Sequence, residues 1–258
     1  MTRRVLLLGG LDPTSGAGVT ADATVVALHG LQALPIALVL TAQNRRGFRA
    51  GFAVPEPQWQ AALAAVLDDG PVHAVKVGLL GSAAAVEATA AALRPFAGHV
   101  PIVVDPVLSA TAGGFEAPGD LAAAYREHLL PLASLATPNL PELEVLGAGS
   151  VQSLLATGCG AVLQKGGHAD GEFACDELHT AAQSWTFRRP RRAVGPVRGT
   201  GCALASAIAA RLAAGATMAD ACGAAGDWLA ELLRALGPAA ADDLPRVLPF
   251  AACVPKPL

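Results

Sequence analysis

Short apolar runs alternate with helical patterns along most of the chain, which predicts an α/β fold. Buried strands are predicted over residues 5–8, 36–40, 74–77, 102–104, 134–136 and 161–163. Strands that alternate with helices form a parallel sheet covered on both faces. The mixed, short apolar runs between residues 171 and 187 predict an antiparallel hairpin at one edge of this sheet.

The helices have readable boundaries in several places. Ser82 predicts the N-terminus of a helix over residues 83–93, and Gly30 predicts the end of one over 19–29. The further predicted helices span residues 58–67, 203–214 and 218–236. We expect one domain over residues 1–258, with residues 249–258 as a strap on its surface.

Composition excludes several functional classes. The 258 residues are 53% hydrophobic, enough for a single large core, and the net charge of −3 supplies no broad basic field for nucleic acid. Since no apolar stretch approaches the roughly 20 residues of a membrane span, we expect no membrane association. The five cysteines form no CxxC pair, so we predict neither a disulfide framework nor a zinc site, and a cytoplasmic location.

Polar residues and glycines follow the predicted strands, where open α/β sheets bind ligands. These segments are Gly10-Leu11-Asp12-Pro13, Thr41-Ala42-Gln43-Asn44, Gly78-Leu79, Asp105-Pro106-Val107, Thr137-Pro138-Asn139-Leu140-Pro141-Glu142 and Lys165-Gly166-Gly167-His168. They predict one site at the carboxyl edge of the sheet.

The turn Gly199-Thr200-Gly201-Cys202 precedes an alanine-rich helical stretch. Glycines allow several backbone N–H groups to converge, and a helix N-terminus favours anions, so the turn predicts an anion cradle. A thiol at a helix N-terminus has a lowered pKa, so we expect Cys202 to be a thiolate able to take a proton or act as a nucleophile.

Lysine is rare here, with three residues among 18 basic ones, yet Lys76 and Lys165 both stand at strand ends beside glycines. Lys165 is predicted to bind phosphate, whereas Lys76 either does the same or pairs with a nearby carboxylate. Asp105 and Glu142 are predicted to hold Mg²⁺. Asn139 and Glu142 are also spaced as a helix capping box, which needs no metal.

Other motifs leave alternatives open. Gly16-Ala17-Gly18-Val19-Thr20-Ala21 matches the dinucleotide fingerprint and precedes a predicted helix, but a loop separates it from the strand and no acidic residue follows at the required distance. Asp12 and Asp22 are either turn and helix-start residues or ligand contacts. The group Arg188, Arg189, Arg191 and Arg192 is either a solvated face or part of a site, and Arg198 is predicted to approach nucleotide phosphates.

Taken in order, these motifs resemble the ribokinase-like superfamily, and within it the hydroxymethylpyrimidine/phosphomethylpyrimidine kinases of thiamine biosynthesis. The resemblance extends over most of the chain and includes Lys76-Val77-Gly78-Leu79-Leu80 and the Gly-Thr-Gly-Cys turn. It implies a three-layer α/β/α sandwich and ATP-dependent phosphorylation of 4-amino-5-hydroxymethyl-2-methylpyrimidine, with its monophosphate as a further acceptor. It also implies a homodimer.

The resemblance assigns roles to individual residues. The acceptor pyrimidine would contact Gly10, Asp22, Gln43, Leu79 and Val107. The nucleotide would contact Lys165, Asn139, Arg198, Gly199 and Gly201, with Mg²⁺ near Asp105 and Glu142. Phosphoryl transfer would involve Cys202, Gly199, Thr200, Gly201 and Lys165, with Cys202 in the position of a catalytic base.

Three departures from the family pattern bear on substrate choice: Leu79 replaces a common Met, Arg198 a common His, and Ala112-Gly113-Gly114 a common Ser-Gly-Asp. They leave the second phosphorylation open. The alternative functions are a pyridoxal kinase, a non-catalytic pyrimidine-binding relative and a dinucleotide enzyme.

Overall fold

The computed structural model of the protein describes residues 2–108, 120–168, 171–239 and 244–255. The departure at Ala112-Gly113-Gly114 and the last three residues of the predicted strap lie outside the described residues. Among the described helices, none combines the length and the apolar character that crossing a bilayer requires.

A large mixed sheet forms the centre of the fold. The strands are β1 (Arg4–Leu11), β2 (Gln32–Asn44), β3 (Gly47–Ala53), β4 (Ala74–Val77), β5 (Ile102–Val104), β6 (Leu135–Ala136), β7 (Ala161–Gln164), β8 (Phe173–Thr180), β9 (Ser184–Pro190), β10 (Val197–Arg198) and β11 (Arg246–Val247). Nine of them form one sheet in the order β3-β2-β1-β4-β5-β6-β7-β8-β9. Strands β2, β1, β4, β5, β6 and β7 are parallel, while β3, β8 and β9 are antiparallel to their neighbours.

Helices cover both faces of this sheet. They are α1 (Gly18–Leu28), α2 (Glu56–Asp68), α3 (Ala83–Leu93), α4 (Leu121–Ala124), α5 (Leu140–Gly147), α6 (Val151–Leu155), α7 (Thr200–Ala213) and α8 (Met218–Leu236). Alternate residues of β1 belong to opposite cores: Leu6 and Leu8 pack with α2 and α3, and Val5 and Leu7 pack with α1, α7 and α8. The predicted three-layer α/β/α sandwich is confirmed.

Helix α7 is buried along almost its whole length, with ten of its residues in the interior. Most of these are alanines, whose small side chains allow the helix to pack closely against α1, α8 and the sheet. Its N-terminal residues are thereby held at the carboxyl edge of the strands.

Several boundaries match the sequence prediction. Helix α3 begins after Ser82, whose Oγ accepts a hydrogen bond from the Ala85 N–H at 3.2 Å. Strands β4 and β5 and helix α8 have their predicted bounds, and β8 and β9 form the predicted edge hairpin. Local capping and periodicity therefore determine these elements.

Two predictions need correction. The segment from Thr41 to Asn44 was expected to follow the second strand, but β2 continues through it and pairs with β3 in a hairpin that the sequence analysis missed. The alternation of Gly47–Ala53 and the glycine after the arginine pair were the available signals. Helix α7 begins three residues earlier than predicted, so Thr200, Gly201 and Cys202 form its first turn.

The C-terminal segment packs along α8, as far as it is described. The Phe250 ring stacks on Trp228 with centroids 6.4 Å apart, and the Trp228 Nε1–H donates to the Cys253 carbonyl at 2.9 Å. These contacts attach the predicted strap to the α7–α8 face of the sheet.

Candidate active site

A cavity of about 540 Å³ lies at the carboxyl edge of the parallel strands. Its size falls in the range of small-molecule sites. It is lined by all the predicted site residues: Gly10, Asp22, Gln43, Leu79, Asp105, Val107, Asn139, Glu142, Lys165, Arg198, Gly199, Thr200, Gly201 and Cys202. The fold therefore brings together residues that are up to 192 positions apart in the chain.

Two helix N-termini meet in this cavity because two loops approach each other closely at glycines. Gly199 has φ +76°, and a Cβ there would collide with the Gly16 carbonyl. Gly18 has φ +63°, and a Cβ there would collide with the Gly10 carbonyl. Only glycine satisfies both the left-handed backbone and the close approach.

The first turns of α1 and α7 thus converge on one region. Backbone N–H groups at the start of a helix have no partner within the helix, and the helix dipole adds partial positive charge there. Thr200, Gly201 and Cys202 lie in this position in α7. The predicted anion cradle is consequently built from the ends of two helices.

The expectation that Cys202 is a thiolate is wrong. The Cys202 side chain is half-buried in the cavity wall, and desolvation by the surrounding protein raises the pKa of its thiol to about 11, even though the Lys76 ammonium and a hydrogen bond from the Gly18 backbone act to lower it. The nearby carboxylates of Asp22 and Asp105 raise it further. Burial and carboxylates therefore outweigh the helix N-terminus, and the group is protonated at neutral pH.

Lys76 is a fully buried cation that joins three elements. Its Nζ donates to Asp22 Oδ2 at 2.7 Å, and Asp22 Oδ1 accepts from Ser206 Oγ at 2.8 Å. Burial alone would lower the pKa of Lys76, but Asp22 in particular raises it well above its usual range. Of the two predictions for Lys76, the carboxylate partner is the one observed. Asp22 lines the cavity, but both its carboxylate oxygens already have protein partners.

Lys165 forms a second buried ion cluster on the other side of the cradle. Its Nζ lies 2.7 Å from Asp105 Oδ1 and 3.7 Å from Glu142 Oε2. A Cβ at Gly201 would lie 3.2 Å from this Nζ and 3.6 Å from Asp105 Oδ2. The glycine therefore allows the α7 N-terminus to approach the ammonium and the carboxylate together.

The Lys165 cluster carries one more carboxylate than ammonium. Burial by itself would raise the pKa of Asp105, but Lys165 and Lys76 hold it below its usual range. Burial raises the pKa of Glu142, and Asp105 adds to this effect against the attraction of Lys165. A further cation near these carboxylates would relieve their repulsion.

The residues fit a Mg²⁺ that is completed by a bound substrate. Mg²⁺ commonly takes one or two carboxylates together with phosphates and water. Within the described ranges, no three His, Cys, Asp or Glu residues converge to hold a metal by themselves. The capping box is present as well: Asn139 Oδ1 accepts from the Glu142 N–H, and Glu142 Oε2 accepts from the Asn139 N–H, both at 2.8 Å.

Gln43 and Arg198 line the opposite end of the cavity. Arg198 Nη2 donates to Asp12 Oδ2 at 2.9 Å and to Gln43 Oε1 at 2.6 Å. Arg198 is 3% exposed, so this guanidinium is a buried wall residue. The contact of Arg198 with nucleotide phosphates stays a prediction. The observed hydrogen-bond partners of Arg198 are Gln43 in β2 and Asp12 directly after β1.

Apolar surface completes this end of the cavity. A Cβ at Gly10 would lie 3.0 Å from Leu79 Cδ2, so Gly10 and Leu79 are direct neighbours. Val107 also lines the cavity. The predicted acceptor residues therefore surround one compartment of mixed apolar and hydrogen-bonding character, as a small polar ring requires.

Strands β8 and β9 and helix α8 form a long side of the cavity that the sequence patterns do not predict. Arg189 donates to Asp227 Oδ1 at 2.8 Å, to Asp176 Oδ2 at 3.2 Å and to the Gly223 carbonyl at 2.6 Å. A Cβ at Gly226 would collide with its guanidinium. Glycine inside an otherwise strong helix was the available signal.

Arg191 has a similar structural role. It donates to the carbonyls of Gly166, Gly167 and Gly171 at 3.2, 2.8 and 3.0 Å. Of the two predictions for the arginine group, the solvated face is therefore wrong for Arg189 and Arg191. Both hold segments that line the cavity beyond Lys165.

Comparisons with known proteins agree with this arrangement. A sequence model of the family described as phosphomethylpyrimidine kinase matches residues 12–242. The chain is 36% identical to the hydroxymethylpyrimidine/phosphomethylpyrimidine kinase of Escherichia coli over 242 residues, which is 88% of this chain and 90% of that protein.

Solved structures show the same fold. The phosphomethylpyrimidine kinase of Clostridium difficile is 28% identical, with a TM-score of 0.77 over 89% of this chain and 98% of that one. An ADP complex of Bacillus subtilis pyridoxal kinase is 25% identical, with a TM-score of 0.78 over 88% of this chain and 90% of that one. The chain belongs to the phosphomethylpyrimidine kinase family, a family of kinases, which confirms the resemblance carried by its motifs.

Proposed function

We propose that the protein transfers the γ-phosphoryl group of ATP to the hydroxymethyl oxygen of 4-amino-5-hydroxymethyl-2-methylpyrimidine, and then phosphorylates the resulting monophosphate, in thiamine biosynthesis. As a member of its family the chain is a kinase. The main support for the proposal is the cavity at the carboxyl edge of the strands. In this cavity a space for a small ring adjoins the N-termini of α1 and α7 and the buried Lys165 ammonium. The dinucleotide alternative is disfavoured because residues 12–15 separate the end of β1 at Leu11 from Gly16, whereas the fingerprint places its first glycine directly at the strand end.

On the acceptor side, Gln43, Leu79, Val107 and the Gly10 backbone would enclose the pyrimidine. Asp22 would act through Lys76, since its own oxygens are engaged by Lys76 and Ser206. On the donor side, Lys165, Asn139 and the N–H groups of Gly199 and Gly201 would hold phosphate oxygens. Phosphoryl transfer requires the protein mainly to align the two substrates and to stabilise negative charge on the phosphate oxygens. These groups would provide both.

Asp105 and Glu142 would hold Mg²⁺. Their excess of negative charge over Lys165 supports this assignment. The ion would supply positive charge that offsets the negative charge of the phosphate groups. Lys165 would then turn its donors toward the phosphates.

Cys202 would accept the proton of the attacking alcohol. Its position at the start of α7, next to the Gly18 N–H and the Lys76 ammonium, supports this role. Because the Cys202 thiol is protonated at neutral pH, it has to lose its own proton before it can act as a base. Thr200 would contribute its backbone N–H to the same cradle.

The proposal extends to the whole protein: one kinase domain over residues 1–258, a cytoplasmic location and a homodimer. All five cysteines are free thiols, as a reducing compartment maintains. Leu40 and Phe52 are paired across β2 and β3 and are 47% and 60% exposed, which provides an apolar face for a second copy.

The activity itself is tested with purified protein, ATP and each acceptor alcohol. We expect phosphorylation of the pyrimidine and of its monophosphate, and loss of turnover when a chelator removes Mg²⁺. We also expect a kcat/KM for the pyrimidine at least about tenfold above that for pyridoxal. A reversed preference would favour the pyridoxal kinase alternative, and an absence of turnover with any alcohol would favour the non-catalytic one.

Substitution of Gln43 tests the acceptor compartment. Gln43→Ala is expected to raise KM for the pyrimidine about tenfold, because a hydrogen bond to the ring is lost, while KM for ATP changes little. Steady-state kinetics with each substrate varied in turn measure both constants. Equal effects on both would contradict the placement of Gln43 beside the pyrimidine.

Substitution of Cys202 tests the proton acceptor. Cys202→Ala is expected to fold normally and lose most turnover. Since only the thiolate accepts a proton and the pKa is about 11, kcat/KM of the unsubstituted enzyme is expected to rise about tenfold per pH unit between about pH 7 and about pH 9.

The matched control for this variant is Cys159→Ala. Cys159 is also buried with a pKa raised to about 11, but it lies outside the cavity lining. Cys159→Ala should therefore retain both turnover and the pH dependence. Unchanged turnover in Cys202→Ala would remove the base role.

The homodimer is tested by light scattering. Phe52→Asp is expected to give a monomer, because a carboxylate in the centre of an apolar interface is costly to desolvate. Val145→Asp, at a similarly exposed residue on α5, should leave the mass unchanged. A monomeric unsubstituted protein would contradict the proposal.

A further inference from the structure

A chain of hydrogen bonds with a defined direction runs along the acceptor end of the cavity. Arg198 Nη2 donates to Gln43 Oε1 at 2.6 Å, and Gln43 Nε2 donates to Thr41 Oγ1 at 2.8 Å. The Thr41 hydroxyl in turn donates to the Leu11 carbonyl at 2.8 Å. Asp12 fixes the other end, since its carboxylate accepts from the same Arg198 nitrogen.

The chemistry of the partners determines the direction of every step. A guanidinium has only donors, so the Gln43 atom that faces Arg198 has to be the amide oxygen. The Thr41 hydroxyl has one hydrogen, which goes to a carbonyl, so its oxygen accepts from Gln43. The orientation of the Gln43 amide is thereby fixed from both sides.

This orientation decides what the cavity wall offers to a ligand. One hydrogen of Gln43 Nε2 is used by Thr41, which leaves the second for a bound molecule. Arg198 Nη1 is buried and has no hydrogen-bond partner within the described part of the chain. The wall therefore presents the second N–H of Gln43 as a donor, and this donor matches an acceptor atom such as a ring nitrogen better than an amino group.

We propose that Arg198 is a positioning residue that sets the polarity of Gln43, so that the enzyme selects acceptor alcohols by a ring nitrogen facing Gln43. The inference rests on the proposed placement of the pyrimidine beside Gln43. A residue at position 198 that could also accept a hydrogen bond would allow the Gln43 amide to rotate by 180°. The donor that meets the ring would then no longer be fixed.

The test compares Arg198→Lys with Arg198→Gln. Lysine retains a donor-only cation on a long side chain beside Asp12 and Gln43, whereas glutamine is shorter and uncharged and both donates and accepts. We expect Arg198→Gln to raise KM for the pyrimidine about fivefold to tenfold at an unchanged KM for ATP, and Arg198→Lys to restore most of this loss.

Acceptor analogues provide a measurement of substrate preference, which a general loss of protein structure would not change selectively. Each ring nitrogen of the pyrimidine is replaced by C–H in turn, and kcat/KM is measured. The unsubstituted enzyme is expected to discriminate about tenfold against the analogue that lacks the recognised nitrogen. Arg198→Gln should reduce this discrimination to about twofold, and Arg198→Lys should keep it.

A double-substitution cycle tests the positioning role of Arg198 separately from the placement of the pyrimidine beside Gln43. If Arg198 acts through Gln43, Arg198→Gln adds little to the KM effect of Gln43→Ala. Full additivity, or equal behaviour of the Lys and Gln variants, would overturn the positioning role alone. An unchanged pyrimidine KM in Gln43→Ala would instead overturn the placement of the ring.

Arg4 provides the matched control. It is a buried arginine paired with Asp69 at 3.1 Å, at the opposite end of β1 from the cavity. Arg4→Gln should lower thermal stability while leaving both KM values and the analogue preference unchanged. Thermal melts of all variants identify loss of fold, and Arg198→Lys decides the proposal if Arg198→Gln is poorly folded.

Discussion

The close approach of backbone to backbone at two glycines is the constraint on which the site depends. Gly199 lies against the Gly16 carbonyl and Gly18 against the Gly10 carbonyl. Side chains at these positions would separate the loop after β1 from the N-terminus of α7, and the convergence of two helix N-termini would be lost. The alanines of α7 contribute to the same geometry, because their small side chains allow the helix to pack close to the sheet. The first turn of α7 is thereby placed at the carboxyl ends of the strands.

The electrostatics of the site follow from that geometry. Two ammonium groups are buried on either side of the cradle, Lys76 with Asp22 and Lys165 with Asp105 and Glu142. Breaking a buried pair by removal of one partner costs about 3–5 kcal/mol, so these pairs also hold the layers together. Lys76 pairs with α1 and Lys165 contacts α5, and the cradle lies between these two fixed charges. Cys202 lies near both groups, and desolvation by the surrounding protein raises the pKa of its thiol, so the thiol keeps its proton.

Much of this could be predicted from the sequence because the signals are local. Ser82 and Asn139 act as helix caps through side chains that bond within three residues, and β4 and β5 are short apolar runs between breakers. The order of motifs after the strands was sufficient to gather the site residues, because parallel strands place their carboxyl ends on one edge. The β2–β3 hairpin was missed although its two strands are neighbours in the chain, because the glycine-containing segment Gly47–Ala53 has only a weak strand pattern. The Arg189 contacts were missed because Gly223 and Asp227 lie 34 and 38 positions away in the chain.

The sequence alone thus determined the layered fold, the edge of the sheet that carries the site, and the residue types that meet there. Tertiary structure decided the state of each group. Cys202 has the local surroundings of a thiolate but is protonated, because burial and two carboxylates from other elements outweigh its helix terminus. The sequence does not say which way the Gln43 amide is oriented, whereas in the folded protein Thr41 and Arg198, the latter 155 positions away, together give it one orientation. Charge and hydrogen-bond direction depend on distances of a few ångström between groups that the chain keeps apart until it folds.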